Sequence, residues 1–366
     1  MSMESTYKGE ALELTIYGES HSPSIGVYIK GLPEGVSPDE EFTAKLMARR
    51  APGNNAWSTP RKEKDEVHFE KNDGVLHGYI INSNTKPKDY ASILNKPRPG
   101  HADYTGRIKY KDEASRSGGG IFSGRMTAPL CIAGSIALSE LAKRGITVHA
   151  HLKECAGVKD DSYFDHGAHD HSFLEALSSV SSKEFPAVSD EAGEKMKAQI
   201  EKARMDLDSV GAVVECVIEG MPAGVGGPLF DGLEGKIAMM LYAIPAVKGV
   251  EFGAGFESAR MRGSENNDAF AIEDGKVILK SNNCGGILGG ISTGAAPLVF
   301  DCAFKPTPSI GKKQHTIDVS AMTDTEISIE GRHDPCVAPR AVPVVEAAAA
   351  TAVYDRILAE EKDEDA

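Results

Sequence analysis

The chain has 366 residues, a formal net charge of −14 and a sequence isoelectric point near 5.3. An acidic balance of this size argues against binding to nucleic acid. Hydrophobic residues make up 41% of the chain, enough for a sizeable core. The N-terminal segment has no apolar signal-like centre, and no run approaches the roughly 18 apolar residues of a membrane span. We therefore expect a cytoplasmic protein that binds neither nucleic acid nor membrane.

Two strands are predicted near the N-terminus, Leu12 to Tyr17 and Ile25 to Lys30, on either side of a turn that carries His21. A helix with Ser37 as its N-cap should follow and end near Arg50. Arg50 adjoins a glycine-containing loop, which makes it a candidate to face a pocket.

The stretch from Pro97 to Pro129 concentrates the features of an anion site. It holds His101, the glycines 118–120 and Arg125, and leads into a helix predicted from Thr127 to Arg144. Glycines beside a helix start let the backbone approach an anion, which the helix dipole favours. Arginine adds a planar, permanently charged donor, and histidine can exchange a proton near neutral pH. The stretch predicts a site for a phosphorylated ligand with acid–base chemistry.

The second half of the chain is predicted to alternate helices, strands and glycine-rich loops. The glycine belt 283–294 lacks the spacing of a dinucleotide fingerprint or a P-loop, so it either permits close approach of a flat or phosphorylated group or forms turns. An alanine-rich helix is predicted from about Pro343 to Glu361, and the acidic tail, about 360–366, is expected to be disordered.

Cysteine and histidine patterns bear on metals and redox state. The six cysteines show no Cys-x-x-Cys pairing, which is typical of buried reduced thiols in a cytosolic protein. We predict no metal site. The histidines from His149 to His171 leave a metal as an alternative to a solvated loop.

Seven motifs, taken in order, resemble the chorismate synthase family. They are GESH at 18–21, RPGHADYTG at 98–106, GGG and SGR within 118–125, AVKGVEFGAGF at 246–256, SNNCGGILGGISTG at 281–294, KPTPSI at 305–310 and GRHDPCVAPRAVP at 331–343. Each motif alone is weak, but their order over residues 8 to 358 is specific. The resemblance implies one domain over residues 1–366, an α+β sandwich of helices between antiparallel sheets with two pseudo-symmetric halves, and a homotetramer.

The resemblance also implies an activity. The family converts 5-enolpyruvylshikimate 3-phosphate to chorismate and phosphate by a 1,4-anti elimination, the last step of the shikimate pathway towards aromatic amino acids. It requires reduced FMN although the reaction has no net redox change. Two alternatives are a flavin- or phosphate-binding homologue without catalysis and an FMN-dependent oxidoreductase. Some members also reduce flavin with NADPH; we expect this chain not to, because it shows no separate nicotinamide motif.

Site roles follow from the same resemblance. His21 would act as the cation or acid beside the leaving phosphate, His101 would lie beside the flavin, and Asp334 would help to take the proton. The expected substrate-binding arginines are Arg50, Arg125 and Arg340. The expected cofactor-binding residues are Ser123, Gly124, Arg125, Ala246, Gly289, Lys305, Pro306, Thr307, Pro308, Ser309 and Arg332.

The sequence departs from the family pattern at two arginine positions. Ala56 and Ile121 stand where many relatives carry arginine. The first puts one anion contact in doubt, and the second predicts a more apolar wall for the flavin.

Overall fold

The computed structural model describes residues 4–53, 57, 65–82, 95–111, 119–329 and 334–364. Its strands are β1 (Glu4–Lys8), β2 (Glu13–Tyr17), β3 (Ser24–Lys30), β4 (Val67–Asn72), β5 (Val75–Ile81), β6 (Thr147–Cys155), β7 (Val158–Lys159), β8 (Ala212–Glu219), β9 (Val247–Phe252), β10 (Phe270–Glu273), β11 (Lys276–Leu279), β12 (Ile287–Leu288), β13 (Ile291–Ser292), β14 (Leu298–Phe304), β15 (Gln314–Asp318) and β16 (Thr323–Ile327). Its helices are α1 (Glu40–Arg50), α2 (Asp103–Tyr110), α3 (Thr127–Lys143), α4 (His171–Ser179), α5 (Asp190–Met205), α6 (Leu233–Tyr242), α7 (Gly263–Asn266) and α8 (Ala338–Glu364).

Two five-stranded antiparallel sheets have matching strand orders. The first is β1-β2-β3-β5-β4 and the second is β7-β6-β8-β14-β9. In each half the chain makes two strands, a helix, two strands and a second helix: β2, β3, α1, β4, β5, α3, and then β6, β8, α6, β9, β14, α8. This repeat confirms the predicted α+β sandwich with two pseudo-symmetric halves.

The halves meet along α3 and α8, which lie side by side between the sheets. α3 packs on β3 and β5, and α8 packs on β6 and β8. The two helices run parallel. At their N-terminal ends Arg50 donates to Thr127 and accepts, through its carbonyl, from Arg340. At their C-terminal ends Arg144 pairs with Glu361 at 3.1 Å.

Close approach of α3 and α8 depends on a glycine. A methyl group added to Gly134 would lie 2.6 Å from the Cα of Ala347, closer than a real Cβ contact. The helices therefore pack backbone against backbone, and an apolar core of residues from both halves surrounds the contact.

Three element boundaries differ from the prediction. Helix α1 begins two residues after the expected start, because Asp39 rather than Ser37 caps it by accepting from the N–H of Phe42 at 2.9 Å. Helix α8 begins at Ala338 and takes Pro343 into its second turn. It continues to Glu364, so the expected disorder of the tail is wrong for residues 360–364; residues 365 and 366 lie outside the described part.

Two further features concern the cysteines and the apolar length of the helices. All six cysteines are free thiols, and all but the half-buried Cys284 are buried, as predicted. No helix within the described ranges is long and apolar enough to cross a membrane.

A buried charge cluster lies on the face of the second sheet that α4 covers. His151 Nδ1 lies 3.3 Å from Asp160 and its Nε2 lies 3.1 Å from Glu215, all three with fully buried side chains. Lys153 joins Glu215 to Asp301. Burial alone lowers the pKa of His151, but the hydrogen bonds and negative charges of Asp160 and Glu215 outweigh it and raise that pKa to about 9.

We predict that Gly134→Ala destabilises the fold by about 1–3 kcal/mol, because the new methyl group forces α3 away from α8. Gly235→Ala in α6 is the matched control, since a Cβ there meets no atom within 4 Å. It should be neutral or stabilising by up to about 1 kcal/mol. Denaturant unfolding of both variants measures the difference, and equal effects would contradict the packing account.

We also predict a pH-dependent stability that depends on His151. A folded-state pKa above the ordinary value of 6.5 gives a contribution that is complete below pH 6.5 and is lost as pH rises to about 9. The free energy of unfolding should therefore fall over this window by on the order of 3 kcal/mol more in the wild type than in His151→Gln. Parallel curves for the two proteins would show that His151 is not the group responsible.

Candidate active site

The described parts of four connections, equivalent in the two halves, lie at one end of the sandwich. In the first half they are residues 51–66, between α1 and β4, and residues 82–126, between β5 and α3. In the second half they are residues 243–246, between α6 and β9, and residues 305–337, between β14 and α8. The N-termini of α3 and α8 lie at this same end, where helix dipoles favour negative charge.

Three predicted arginines converge here. Arg50 and Arg125 each pair with one oxygen of the Asp65 carboxylate, and the side chains of all three are at least nine-tenths buried. Arg340 donates from Nε to the carbonyl of Arg50 at 3.1 Å. Burial raises the pKa of Asp65, but the two guanidiniums outweigh it and lower the pKa. Arg50 Nε is a buried donor with no hydrogen-bond partner among the described residues.

Asp334, the predicted proton acceptor, is part of the same cluster. Arg340 Nη1 donates to its Oδ2 at 2.7 Å. The carbonyl of the next residue, Pro335, accepts from the N–H of Val210 and so ties this segment to the second sheet. Arg332 and Ala56 lie outside the described residues.

The turn that carries His21 joins β2 to β3 and is anchored on both sides. Asn82 donates from Nδ2 to the carbonyl of Ser22 at 2.7 Å, and the same side chain accepts from Arg125 Nη2 at 3.0 Å. Ser20 N–H donates to the carbonyl of Gly120 at 3.3 Å. These contacts connect the His21 turn with the arginine cluster and with the glycine segment.

His101 lies on the other side of that glycine segment. A Cβ added to Gly119 would lie 3.5 Å from His101 Nε2, so the missing side chain leaves the ring edge open. His101 Nδ1 lies 2.6 Å from the carboxylate of Asp103, which Arg98 also contacts. Burial raises the pKa of Asp103, but bonds from Arg98 and His101 lower it well below its ordinary value. The segments of both predicted histidines therefore flank Gly119 and Gly120.

The predicted cofactor loop, residues 305–309, packs against the His101 loop. Lys305 Nζ donates to the carbonyl of Gly100, and Arg98 Nη1 donates to Ser309 Oγ at 3.0 Å. The backbone N–H of Lys305 donates to the carbonyl of Ala246 at 3.0 Å. Pro306, Thr307 and Pro308 complete the loop. Burial, and next the charge of Lys248, lower the pKa of Lys305.

Several details of these segments fit a bound organic cofactor with a phosphate. Thr307 Oγ1 is buried and has no hydrogen-bond partner among the described residues. A Cβ on Gly124 would meet no atom within 4 Å. Ser123 accepts from the N–H of Arg125 at 3.2 Å and caps the short turn before α3. Ile121 is half-buried in the preceding turn.

Gly289 is the exception among the described site residues. It forms the turn of the β12–β13 hairpin, in which Ile291 bridges to Gly226. The N–H of Gly226 donates to Glu360 at 3.1 Å. Residues 340 and 360 are twenty positions apart on α8, or ~30 Å at ~1.5 Å per residue. Within one chain, Gly289 therefore lies at the opposite end of the sandwich from Arg340.

Four residues at the site were not singled out from the sequence: Asp65, Asn82, Arg98 and Asp103. Arg98 and Asp103 belong to the RPGHADYTG motif, so their closeness to His101 in the sequence could have identified them as site residues. Asp65 lies in a charged run that is typical of a solvated loop, and nothing in the sequence marks Asn82.

The histidine-rich segment has other contacts. His166 pairs with Asp170 and stacks on Phe173, and His169 lies 2.9 Å from the carbonyl of Leu279. Among the residues that the structure describes, no group of three or more His, Cys, Asp or Glu side chains is arranged to hold a metal ion.

We predict that Asp65→Asn lowers stability by about 3 kcal/mol or more, because Arg50 and Arg125 lose the charge that they share in a buried place. Excess inorganic phosphate should restore part of the loss if these arginines form an anion pocket. The control is Glu346→Gln, which removes the carboxylate that pairs with Arg49 away from the site. Thermal unfolding with and without phosphate measures the effect, and an equal rise in Tm for both variants would contradict it.

Comparisons with known proteins identify the family of the chain. The family model for chorismate synthase matches residues 12–358. The chorismate synthase of Lancefieldella parvula is 41% identical over 369 residues, covering 97% of this chain and 96% of the relative. That of Methanocaldococcus jannaschii is 43% identical over 373 residues, covering 98% and 97%. A solved structure of a chorismate synthase has a TM-score of 0.74 over 98% of both chains at 24% identity, which shows a shared fold. The chain belongs to the chorismate synthase family.

Proposed function

We propose that this chain converts 5-enolpyruvylshikimate 3-phosphate to chorismate and phosphate by a 1,4-anti elimination that depends on reduced FMN. The observation that carries the proposal is the convergence of three buried or half-buried arginines, two histidine-bearing segments and two helix N-termini at one end of the sandwich. Membership of the family supports the reaction.

Recognition of the substrate is assigned to the arginine cluster. The substrate carries a phosphate and two carboxylates, and bidentate guanidiniums suit both groups. Arg50, Arg125 and Arg340 are linked through Asp65 and the Arg50 carbonyl, so a ligand anion that enters the cluster would meet several donors at once. The N-termini of α3 and α8 add to the favourable potential.

Two proton groups serve the elimination. The C–O bond to phosphate breaks and phosphate leaves with the bonding pair, while a C–H bond on the opposite face of the ring gives up its proton. The electrons of that C–H bond form a new double bond, and the double bond already in the ring shifts to the carbon that loses phosphate. We assign His21 to the phosphate side as acid or cation and Asp334 to the proton. The contact between Asp334 and Arg340, 2.7 Å, keeps the carboxylate beside a substrate-binding group.

Flavin binding is assigned to the segments around His101. Residues 305–309, Ala246, Ser123 and Gly124, with Arg332, would hold the cofactor, and His101 would hold a proton at its Nε2 edge beside Gly119. Reduced flavin, when bound, supplies electron density transiently to the reacting ring. Gly289 lies at the opposite end of the sandwich, ~30 Å from Arg340 along α8. It can therefore contact this flavin only from another subunit. We expect no NADPH-dependent flavin reduction by this chain.

A homotetramer in the cytoplasm completes the proposal. Large apolar side chains are exposed near α6 and on the β10–β11 hairpin: Leu229, Phe230, Met239, Tyr242, Phe256, Phe270, Ile272 and Val277. Apolar exposure of this extent is typical of surfaces that bind other proteins. The free thiols support a reducing compartment.

The central prediction is turnover under anaerobic conditions. Protein, chemically reduced FMN and 5-enolpyruvylshikimate 3-phosphate should give chorismate and phosphate, and no product without flavin. His21→Ala and His101→Ala should each lower kcat by about 10²–10⁴-fold with a smaller effect on KM.

His315→Ala is the control, since that side chain is 93% exposed in β15 and should leave turnover unchanged. Product formation without flavin, or an equal loss in His315→Ala, would overturn the roles assigned here. Net NADPH oxidation by the pure protein with FMN would instead favour the oxidoreductase alternative.

A further inference from the structure

The imidazole of His101 has a carboxylate partner that none of the roles above uses. Asp103 Oδ1 lies 2.6 Å from His101 Nδ1, and the two side chains are 11% and 13% exposed. The pair is therefore largely shielded from water, where a hydrogen bond to a carboxylate is strong.

Arg98 holds this carboxylate in place. Its Nη2 donates to Asp103 Oδ1 at 2.7 Å, and its Nε and backbone N–H donate to Oδ2 at 2.7 and 3.0 Å. The same guanidinium lies against the edge of the His101 ring, with Nη2 3.1 Å from Nδ1 and 3.3 Å from Nε2. Asp103 is also the first residue of α2, where a negative charge is favoured.

The third contact of Arg98 reaches the opposite half of the fold. Its Nη1 donates to the buried Ser309 Oγ at 3.0 Å. Asp103 and Arg98 are thus charged partners of His101 on its own segment, and Lys305 of the facing loop contacts the carbonyl of the preceding residue, Gly100.

We propose that Asp103, clamped by Arg98, is a positioning residue for His101: it keeps the ring proton on Nδ1 and so directs Nε2 to the open side of Gly119. This inference rests on the proposed function for its catalytic meaning. The tautomer and orientation of the His101 ring can be measured without turnover. The low pKa of Asp103 agrees with a carboxylate that stays ionised throughout.

The position of the ring proton decides which nitrogen of His101 can exchange a proton with a ligand. A neutral imidazole has one donor and one acceptor nitrogen, and the partner of one nitrogen decides the state of the other. With Nδ1–H donated to Asp103, Nε2 keeps its lone pair, which lies 3.3 Å from Arg98 Nη2 and beside Gly119, and it can accept a proton and return it there. Without the carboxylate, the nearby Arg98 guanidinium favours the uncharged ring and the opposite tautomer.

Asp103→Asn tests the proposal. Each oxygen of the Asp103 carboxylate accepts two hydrogen bonds, whereas the amide of asparagine has only one acceptor oxygen. We expect kcat to fall by about 10- to 100-fold with little change in KM for 5-enolpyruvylshikimate 3-phosphate. Asp103→Glu should recover part of the activity.

A second readout needs no turnover. In protein with ¹⁵N-labelled histidine, the His101 signals, identified by their loss in His101→Gln, should show the Nδ1–H tautomer in the wild type and its loss in Asp103→Asn. An Nε2–H tautomer in the wild type, or the same tautomer in both proteins, would overturn the proposal whatever the enzyme does. An inactive wild type with the expected tautomer would instead count against the proposed function alone.

A structural role for Asp103 predicts a different result. The matched control is Asp39→Asn, which alters an exposed helix cap far from His101 in sequence. If Asp103→Asn lowered activity only in proportion to the folded protein lost, as measured by thermal unfolding, and left the His101 tautomer unchanged, positioning of His101 would be refuted.

Discussion

The parallel contact of α3 and α8 is the constraint on which the rest of the structure depends. Backbone meets backbone at Gly134 and Ala347, and the two helices then extend in register to the same end of the sandwich. Both N-termini arrive together, so the connections that precede them are brought together as well. One connection carries His101 and Arg125, and the other carries the 305–309 loop. The site is a consequence of helix packing rather than of any one loop.

Buried guanidiniums dominate that site, and each one has a carboxylate in contact. Asp65 serves Arg50 and Arg125, Asp103 serves Arg98, and Asp334 serves Arg340. Uncompensated buried charges are too costly to persist, so internal carboxylates hold the donors in place. The guanidiniums are therefore already oriented for an anion before one binds, because the free-energy cost of burying them is met when the chain folds. Under the proposed function, two of these carboxylates have a second role: Asp103 orients His101 and Asp334 accepts a proton.

The sequence predicted the family, the fold class and the convergence of the arginines, but not the carboxylates that hold these arginines. The order of motifs pointed to the family, and the buried, almost wholly apolar α3 was readable as a core helix. The convergence of Arg50, Arg125 and Arg340 was expected from a polyanionic substrate. Asp65 was missed because a carboxylate in a charged run is ordinarily solvated, and only tertiary packing places it between two arginines. The start of α8 was missed because burial of Ala338 and Val342 outweighs the preference of Pro343 for a first turn. The position of Gly289 could not be read at all, since a glycine motif carries no information about which end of a helix it will adjoin.

The matching order of the two halves has a further result. A site on an approximate two-fold axis would present similar surroundings to either face of a flat ligand and so allow two opposite orientations. Here the two halves differ at the site end: a six-residue turn, 18–23, joins β2 to β3, whereas residues 156–211 join β6 to β8. Of these two connections, the short turn carries an imidazole, His21, next to the Asn82 side chain that contacts Arg125. The two halves of the scaffold therefore differ chemically at this end. Under the proposed function, this difference would give a bound ring one face for loss of phosphate and another for loss of the proton.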